Sequence, residues 1–208
     1  MVGAAMTSRD VILGRIREAL RGYPAAGAVP RDYRGSDDEP ADMDLLAGRL
    51  ADYRAHVHRT ATIGIAATIA RILGDGRVVV APPGLPLAWL PSRVEVLIDD
   101  GLPDERIAAA DAVVTAAAVA VAETGTIVLD ASADQGRRVL SLLPDLHVCV
   151  LRPEQVVPRV PQAIARLDPR RPLTWISGPS ATSDIELNRV EGVHGPRNLH
   201  VIIAEDGS

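Results

Sequence analysis

Short apolar runs rich in β-branched residues alternate with stretches of helical spacing from about residue 56 onward. Helical stretches lie between several of these runs, notably at 62–73 and 158–167. Such alternation predicts an α/β fold with a mostly parallel sheet flanked by helices, in which ligands usually bind at the carboxyl ends of strands. The predicted strands are VVVAPP at 78–83, VEVLI at 94–98, IVLD at 127–130, HVCVL at 147–151, LTWIS at 173–177 and LHVII at 199–203.

Two further helical patterns, over 12–20 and 46–53, precede this region. A polar stretch rich in Gly, Pro and Asp separates them, as is typical of a mobile connection. We expect both helices to be appended to a core that begins near His56. The predicted organisation is an N-terminal helix and flexible connection over 1–42, followed by a single α/β domain over 43–208.

The composition excludes several classes of protein. Of the 208 residues, 47% are hydrophobic and 24% are charged, as in one soluble domain with a sizeable core. The net charge is -5 and the basic residues are dispersed arginines, which argues against a nucleic-acid partner. Because no apolar stretch can span a bilayer and no signal peptide is recognised, we predict a cytoplasmic protein without membrane insertion.

Cys149 is the single cysteine of the chain. One thiol can form neither an internal disulfide nor the ligand set of an iron–sulfur cluster. The positions of His147, His194 and His200 relative to the carboxylates match no recognised metal-ligand spacing. We therefore predict no metal and no cofactor in this chain, so that any redox chemistry must involve another molecule.

A predicted strand ends in a Gly-Pro-Ser turn within LTWISGPSATSDIE, at 173–186. The S-x-x-E pattern predicts a capped helix that begins near Ser183. The amides after Gly178 and the helix N-terminus form a potential anion site, but Asp184 and Glu186 already occupy the positive end of the helix dipole. The segment is compatible both with a structural helix cap and with a ligand-binding loop.

A second turn, EGVHGP at 191–196, leads into the last predicted strand. Its His194 and Gly195 precede a proline, which indicates a tight turn. A histidine in a turn can titrate near neutral pH, bind a ligand or hydrogen-bond the main chain, and the last role is the commonest. His194 is therefore a candidate ligand contact with an ordinary structural alternative.

A hairpin is predicted within AVAVAETGTIVLD, at 118–130, because apolar β-formers flank ETGT and Gly125 can adopt a positive φ. This prediction places Glu123 at the tip of the hairpin. If apolar walls enclose it, its carboxylate is suited to act as a general acid, general base or nucleophile. A solvated turn residue is the equally open alternative.

These motifs together resemble the lactate utilization protein C family, also called the LUD domain family. The similarity is close over about 116–203 and depends on AETGT, on GPSATSDIE and on GVHGP. It implies an α/β fold of the CoA-transferase, ribose-phosphate isomerase and sugar-phosphate deaminase type. It also implies a role in oxidising L-lactate to pyruvate with partner proteins that carry iron–sulfur clusters, this chain being the cluster-free member.

Carried over by position, the resemblance assigns candidate roles to residues of the three motifs. Glu123 becomes the candidate catalytic base or nucleophile. Ala181 stands where many relatives have a basic or polar residue, which weakens any binding role for that side chain. The candidate binding residues are Thr124, Gly125, Thr126, Gly178, Pro179, Ser180, Thr182, Asp184, Glu186, His194 and Gly195.

Two functions from different classes follow. The first is a cluster-free subunit or accessory protein of an L-lactate oxidation system, in which the ETGT turn and the GPS loop face each other across a cleft. The second is a stand-alone enzyme for a small anionic metabolite, such as a sugar phosphate or an acyl thioester, with Glu123 as base or nucleophile. A pure interaction module, in which the same loops dock a partner, is a third alternative.

Overall fold

A computed structural model gives the structure of the chain in two units, Met1–Gly35 and Ser36–Ser208, which are distinguished by their internal contacts. Only the main chain is described at 181–183 and 189–191. The residues that the structure describes are 7–23, 27, 29, 40–183, 189–191 and 195–205.

About half of the described residues belong to the following α-helices and strands. The helices are α1 Ser8–Ala19, α2 Met43–Asp52, α3 Ile65–Leu73, α4 Asp104–Ala108 and α5 Val160–Arg166. The strands are β1 His56–Thr60, β2 Val78–Ala81, β3 Glu95–Ile98, β4 Ala112–Thr115, β5 Val119–Val121, β6 Thr126–Leu129, β7 Leu146–Leu151, β8 Val156–Val157, β9 Thr174–Ile176, β10 Ala181–Ser183, β11 Arg189–Glu191 and β12 Asn198–Ala204.

Helix α1, in the first unit, begins at Ser8 and is capped by Thr7. The main-chain N–H of Asp10 donates to the Thr7 hydroxyl at 3.3 Å, and the N–H of Thr7 donates to the Asp10 carboxylate at 3.0 Å. This reciprocal pair satisfies amides that a helix start otherwise leaves without partners.

The second unit is built on a six-stranded parallel sheet with the strand order β1-β12-β7-β4-β2-β3. Its central strand β7 is buried on both faces, because Val148 and Val150 join one apolar cluster while Cys149 and Leu151 join another. The two-residue period of a strand places successive side chains on opposite faces. The prediction of an α/β fold with a mostly parallel sheet is confirmed.

One face of the parallel sheet is covered by α3. Its residues Ile65, Ile69 and Leu73 recur every four positions and are at most 8% exposed. They pack in the same cluster as Val148 and Val150. This spacing forms the apolar stripe with which a helix packs on a sheet.

Helix α2 and a second sheet cover the opposite face. Leu46 and Leu50 of α2 are fully buried and share an apolar cluster with Cys149 and Leu151. Helix α2 is therefore part of the core, and the prediction of an appendage before a core at His56 is wrong for this helix. Helical spacing in the sequence revealed the apolar stripe but could not show which surface receives it.

Two predicted strands belong to the second sheet, whose order is β8-β5-β6-β9. Strand β6 is antiparallel to both β5 and β9, so the runs at 127–130 and 173–177 lie outside the parallel sheet. The predicted hairpin around ETGT is confirmed as β5, a turn and β6. The outer face of this sheet packs on α5 through Val121, Val128 and Ala163.

Two strands of the parallel sheet were not recognised in the sequence. Strand β1 lies at the edge of the sheet and is only partly buried. Its sequence, HVHRT, therefore contains no continuous apolar run that would predict a strand. Strand β4 is followed by an alanine-rich stretch at 116–122, which favours helix and hid the strand preference of Val113, Val114 and Thr115. All four residues of β4 are buried between β2 and β7, as is typical of a strand inside a parallel sheet.

Candidate functional site

Residues of two predicted motifs line one cavity of about 200 Å³, which we call the loop cavity. The loop after β9 supplies Gly178, Pro179 and Ser180. The turn before β12 supplies Gly195 and Pro196. Other walls of the loop cavity are formed by Arg138, Ser141, His147, Thr174, Ser177 and Leu199.

The loop after β9 is held on two sides by main-chain contacts. The N–H of Ser180 donates to the carbonyl oxygen of Pro196 at 2.8 Å, which joins the two motifs directly. Gly178 has a φ of +92°, and a Cβ atom there would lie 2.5 Å from the carbonyl oxygen of Tyr53. Only glycine combines this backbone conformation with so close an approach.

The ETGT turn contacts the loop cavity through hydroxyl groups. Thr124 donates to the Thr126 hydroxyl at 2.8 Å, and the hydroxyls of Thr126 and Ser177 are hydrogen-bonded at 2.9 Å. Gly125 has a φ of +61°, and a Cβ atom there would lie 2.7 Å from the Arg49 Cβ. The hairpin is therefore fixed against both α2 and the wall of the cavity.

Glu123 lies away from the loop cavity. Its side chain is exposed and borders a separate hollow formed with Arg49, Asp52, Tyr53 and Thr124. The apolar enclosure expected for its carboxylate is not found, because the end of α2 and solvent surround the tip of the hairpin instead. Its assignment as a base or nucleophile stays a prediction.

The remaining candidate residues are only partly described. Asp184, Glu186 and His194 lie outside the residues that the structure describes. The main chain of Thr182 belongs to β10, which pairs with β11 in antiparallel register, Ser183 opposite Arg189. Ser183 itself is the last residue of β10, and the residues of the helix predicted to follow it, 184–188, lie outside the residues that the structure describes.

Two functional groups of the loop cavity were missed in the sequence. Arg138 is exposed at the cavity wall and carried no motif that could have distinguished it from other arginines. His147 was considered only as a metal ligand, whereas it is 1% exposed and its Nε2 lies 2.8 Å from the Thr115 hydroxyl. Burial lowers the pKa of His147 to about 4, so its imidazole is neutral at neutral pH.

The loop cavity lies at the amino ends of β7 and β12, where His147 and Leu199 are the second residues of their strands. Ligands of parallel sheets were expected at the opposite edge. A second hollow of about 490 Å³, the carboxyl-edge cleft, does lie there, beyond the ends of β2, β4 and β7. Its walls include Gly84, Ala117, Asp130, Asp134, Arg152 and Arg166.

Comparison with known proteins identifies the family. A family model for the LUD domain matches residues 102–204. A lactate utilization protein C of Deinococcus radiodurans is 44% identical over 202 residues, covering 95% of this chain and 92% of that protein. The chain belongs to the lactate utilization protein C family. A member from Bacillus licheniformis is 30% identical and covers 99% of this chain and 100% of that protein.

A solved structure shows that this LUD-domain protein shares its fold with another member of the family. The crystal structure of a DUF162 family protein from Deinococcus radiodurans superposes with a TM-score of 0.69 at 42% identity. The match covers 78% of this chain and 96% of that chain. The LUD domain at 102–204 includes every residue that lines the loop cavity, so the cavity is a feature of the matched domain itself.

The thiol of this LUD-domain protein is enclosed. Cys149 is fully buried, and burial raises the pKa of its thiol to about 12, so the thiol stays protonated at neutral pH. Within the described part of the chain, no group of three or more His, Cys, Asp or Glu residues could hold a metal ion. Nor do those residues contain a helix with the length and apolar character needed to cross a membrane.

Proposed function

We propose that the chain is the cluster-free component of a system that oxidises L-lactate to pyruvate. The observation that carries this proposal is the 44% identity to a lactate utilization protein C over 95% of the chain. Because that match covers 92% of the relative as well, it applies to the whole chain and not to one shared domain.

Oxidation of a hydroxy acid to an oxo acid releases electrons that an acceptor must take up. The chain has one cysteine, whereas an iron–sulfur cluster requires several thiolates. That cysteine is also fully buried. We therefore assign electron transfer to partner proteins that carry iron–sulfur clusters, and the binding of a small molecule or of those partners to this chain.

Deletion of the gene in its host tests this role. We expect the deletion strain to grow normally on pyruvate and to fail on L-lactate, because only the step between the two acids is lost. Reintroduction of the wild-type gene should restore growth on L-lactate. Normal growth of the deletion strain on L-lactate would overturn the proposal.

A Cys149→Ala variant tests whether the chain itself handles electrons through its thiol. We expect it to restore growth on L-lactate in the deletion strain, because the thiol is buried and protonated. Iron and sulfide assays on a tagged full-length chain purified from lactate-grown cells should detect clusters only when partner proteins co-purify. Iron and sulfide bound to the isolated chain would contradict the cluster-free assignment.

The stand-alone enzyme remains a prediction drawn from the sequence. It requires the Glu123 carboxylate, which is exposed and borders a hollow distinct from the loop cavity. Turnover of sugar phosphates or acyl thioesters by the purified chain, with loss of turnover in Glu123→Gln, would favour this alternative. Equal turnover by both proteins would remove Glu123 from it.

A further inference from the structure

We propose that the loop cavity binds a short monocarboxylate with an oxygen on C2, such as a 2-hydroxy or 2-oxo acid. The carboxylate is held by Arg138, and the C2 oxygen is hydrogen-bonded by His147. This inference rests on the proposed function in lactate oxidation and names the ligand class of the cavity. It is carried by one arginine and one histidine, each of which has a hydrogen-bonding group that the fold does not use.

Arg138 offers a guanidinium group that the fold does not use. The adjacent Arg137 donates from Nε and Nη2 to the Asp99 carboxylate at 2.8 and 2.7 Å. By contrast, the Arg138 guanidinium has neither a hydrogen-bond nor an ion-pair partner in the residues that the structure describes. A guanidinium presents paired N–H donors that match the two oxygens of a carboxylate.

His147 offers the second group, and it lies inside the molecule. Its Nε2 is paired with the Thr115 hydroxyl at 2.8 Å, whereas Nδ1 has no partner among the described residues. The residue is 1% exposed and lines the loop cavity. Nδ1 is not one of the fully enclosed side-chain nitrogen or oxygen atoms that lack a partner, so it keeps some accessible surface, and at the cavity wall a ligand or water can hydrogen-bond it.

The size of the loop cavity favours a small acid. A volume of about 200 Å³ corresponds to roughly seven waters at the liquid density of about 30 Å³ each. A three-carbon acid with a few waters fits this space. The Ser141 hydroxyl donates to the Arg138 carbonyl oxygen at 2.9 Å, which leaves its own oxygen able to accept a hydrogen bond from such a ligand or water.

The carboxyl-edge cleft is the weaker candidate for a small anion. Its Arg152 donates to the Glu154 carboxylate at 2.8 Å, and its Arg166 donates to the Glu154 carbonyl oxygen at 2.7 Å. The carboxylates of Asp130 and Asp134 also line the cleft and oppose the binding of a further negative charge. Both arginines therefore already have hydrogen-bond partners, and two acidic side chains line the same cleft.

Calorimetric titration of the purified full-length chain with L-lactate, pyruvate and propionate tests the inference. We expect L-lactate or pyruvate to bind and Arg138→Gln to weaken that binding by at least about tenfold, because a charge-assisted bidentate contact is lost. Propionate lacks the C2 oxygen, so its affinity should be lower by about tenfold as well. Since Arg138 is exposed, the variant should retain the wild-type melting temperature.

Arg166→Gln is the matched control, because it removes an exposed arginine from the carboxyl-edge cleft. It should leave the affinity for L-lactate and pyruvate unchanged. Loss of binding in Arg166→Gln with normal binding in Arg138→Gln would overturn the inference, as would equal affinity for propionate. Binding of none of the three acids would also overturn it.

The two proposals fail in different experiments. A deletion strain that cannot grow on L-lactate, together with a purified chain that binds none of these acids, would leave the role in lactate oxidation intact and remove the ligand assignment. Normal growth of the deletion strain on L-lactate would instead remove the role, and with it the reason for choosing this class of acid.

Discussion

Adjacent arginines of the same exposed turn have different roles, although the sequence makes them equivalent. Hydrogen bonds from Arg137 lower the pKa of Asp99, whose side chain is fully buried, so this pair belongs to the fold. Arg138 instead stands at the wall of the loop cavity. A single position along the chain thus separates a structural ion pair from the proposed ligand contact.

Substitution of Gly178 tests how much the close packing of the loop after β9 contributes to the free energy of unfolding. We expect Gly178→Ala to reduce the free energy of unfolding by about 2–4 kcal/mol, because a left-handed backbone and a steric clash act together. The added Cβ would lie 2.5 Å from the Tyr53 carbonyl oxygen. Urea unfolding followed by circular dichroism measures the change.

Gly101→Ala is the matched control for this substitution. Gly101 has a φ of +81°, close to the +92° of Gly178, but no atom lies within 4 Å of its added Cβ. We expect this variant to lose only about 1 kcal/mol, the cost of the backbone conformation alone. Equal losses in the two variants would show that contact with Tyr53 is unimportant.

Helix α2 was predicted as a helix, but its place in the core was not. Its apolar stripe closes one side of the core, and Tyr53, the residue that follows the helix, lies against Gly178 of the loop cavity. Arg49 of the same helix lies against Gly125 of the ETGT turn. Helix α2 therefore supports two motifs that are far from it in sequence.

Leu50→Ala tests whether α2 is part of the core. Leu50 is fully buried, so we expect the variant to lose about 2–5 kcal/mol of unfolding free energy through lost burial and a residual cavity. Leu45→Ala is the control on the same helix, since Leu45 is 39% exposed and its truncation should cost less than about 1 kcal/mol. Similar unfolding midpoints for the two variants would contradict the packing of α2.

At the scale of the whole molecule, two neighbouring strands of the parallel sheet hold neutral histidines. Burial lowers the pKa of His147 in β7 to about 4. Burial, and then the charges of His56 and His58, lower the pKa of His200 in β12 to about 4. The Nε2 of His58 lies 2.9 Å from the Nδ1 of His200, which links the edge strand β1 to β12.

These histidines predict a loss of stability on mild acidification. An unfolded histidine takes up a proton near pH 6.5, whereas the folded ones do so only near pH 4. Protons therefore favour the unfolded chain as the pH falls between these values. The fully buried His147 removes at most about 1.4 kcal/mol of unfolding free energy per pH unit within that window, and the partly exposed His200 removes less because solvent screens its charge.

Urea unfolding at several pH values from about 7 down to about 4.5 measures this dependence. The variant His147→Gln should be less stable than the wild type at neutral pH, because its Thr115 partner is disturbed. Its free energy of unfolding should nevertheless fall less steeply with acidification. An identical slope in both proteins would exclude His147 as a source of the pH dependence.

Much of the architecture could be predicted because it depends on local pattern. The continuous apolar run HVCVL predicted the central strand β7, and the residues around ETGT predicted a hairpin. The pattern failed for β4, whose Val113, Val114 and Thr115 run into an alanine-rich stretch, and for α2, whose buried stripe was assigned to an appendage. In both cases the burial of the element depends on neighbours that are distant in sequence.

For the candidate site, the sequence determined which turns require glycine and which motifs mark the family, because φ limits and residue spacing are properties of the chain itself. Only the tertiary structure decided that Gly178 and Gly195 line the same cavity as Arg138 and His147, and that Glu123 lies apart from it. Burial, cavity walls and free hydrogen-bonding groups arise from neighbours that are remote in sequence, so they exist only once the two sheets have packed together.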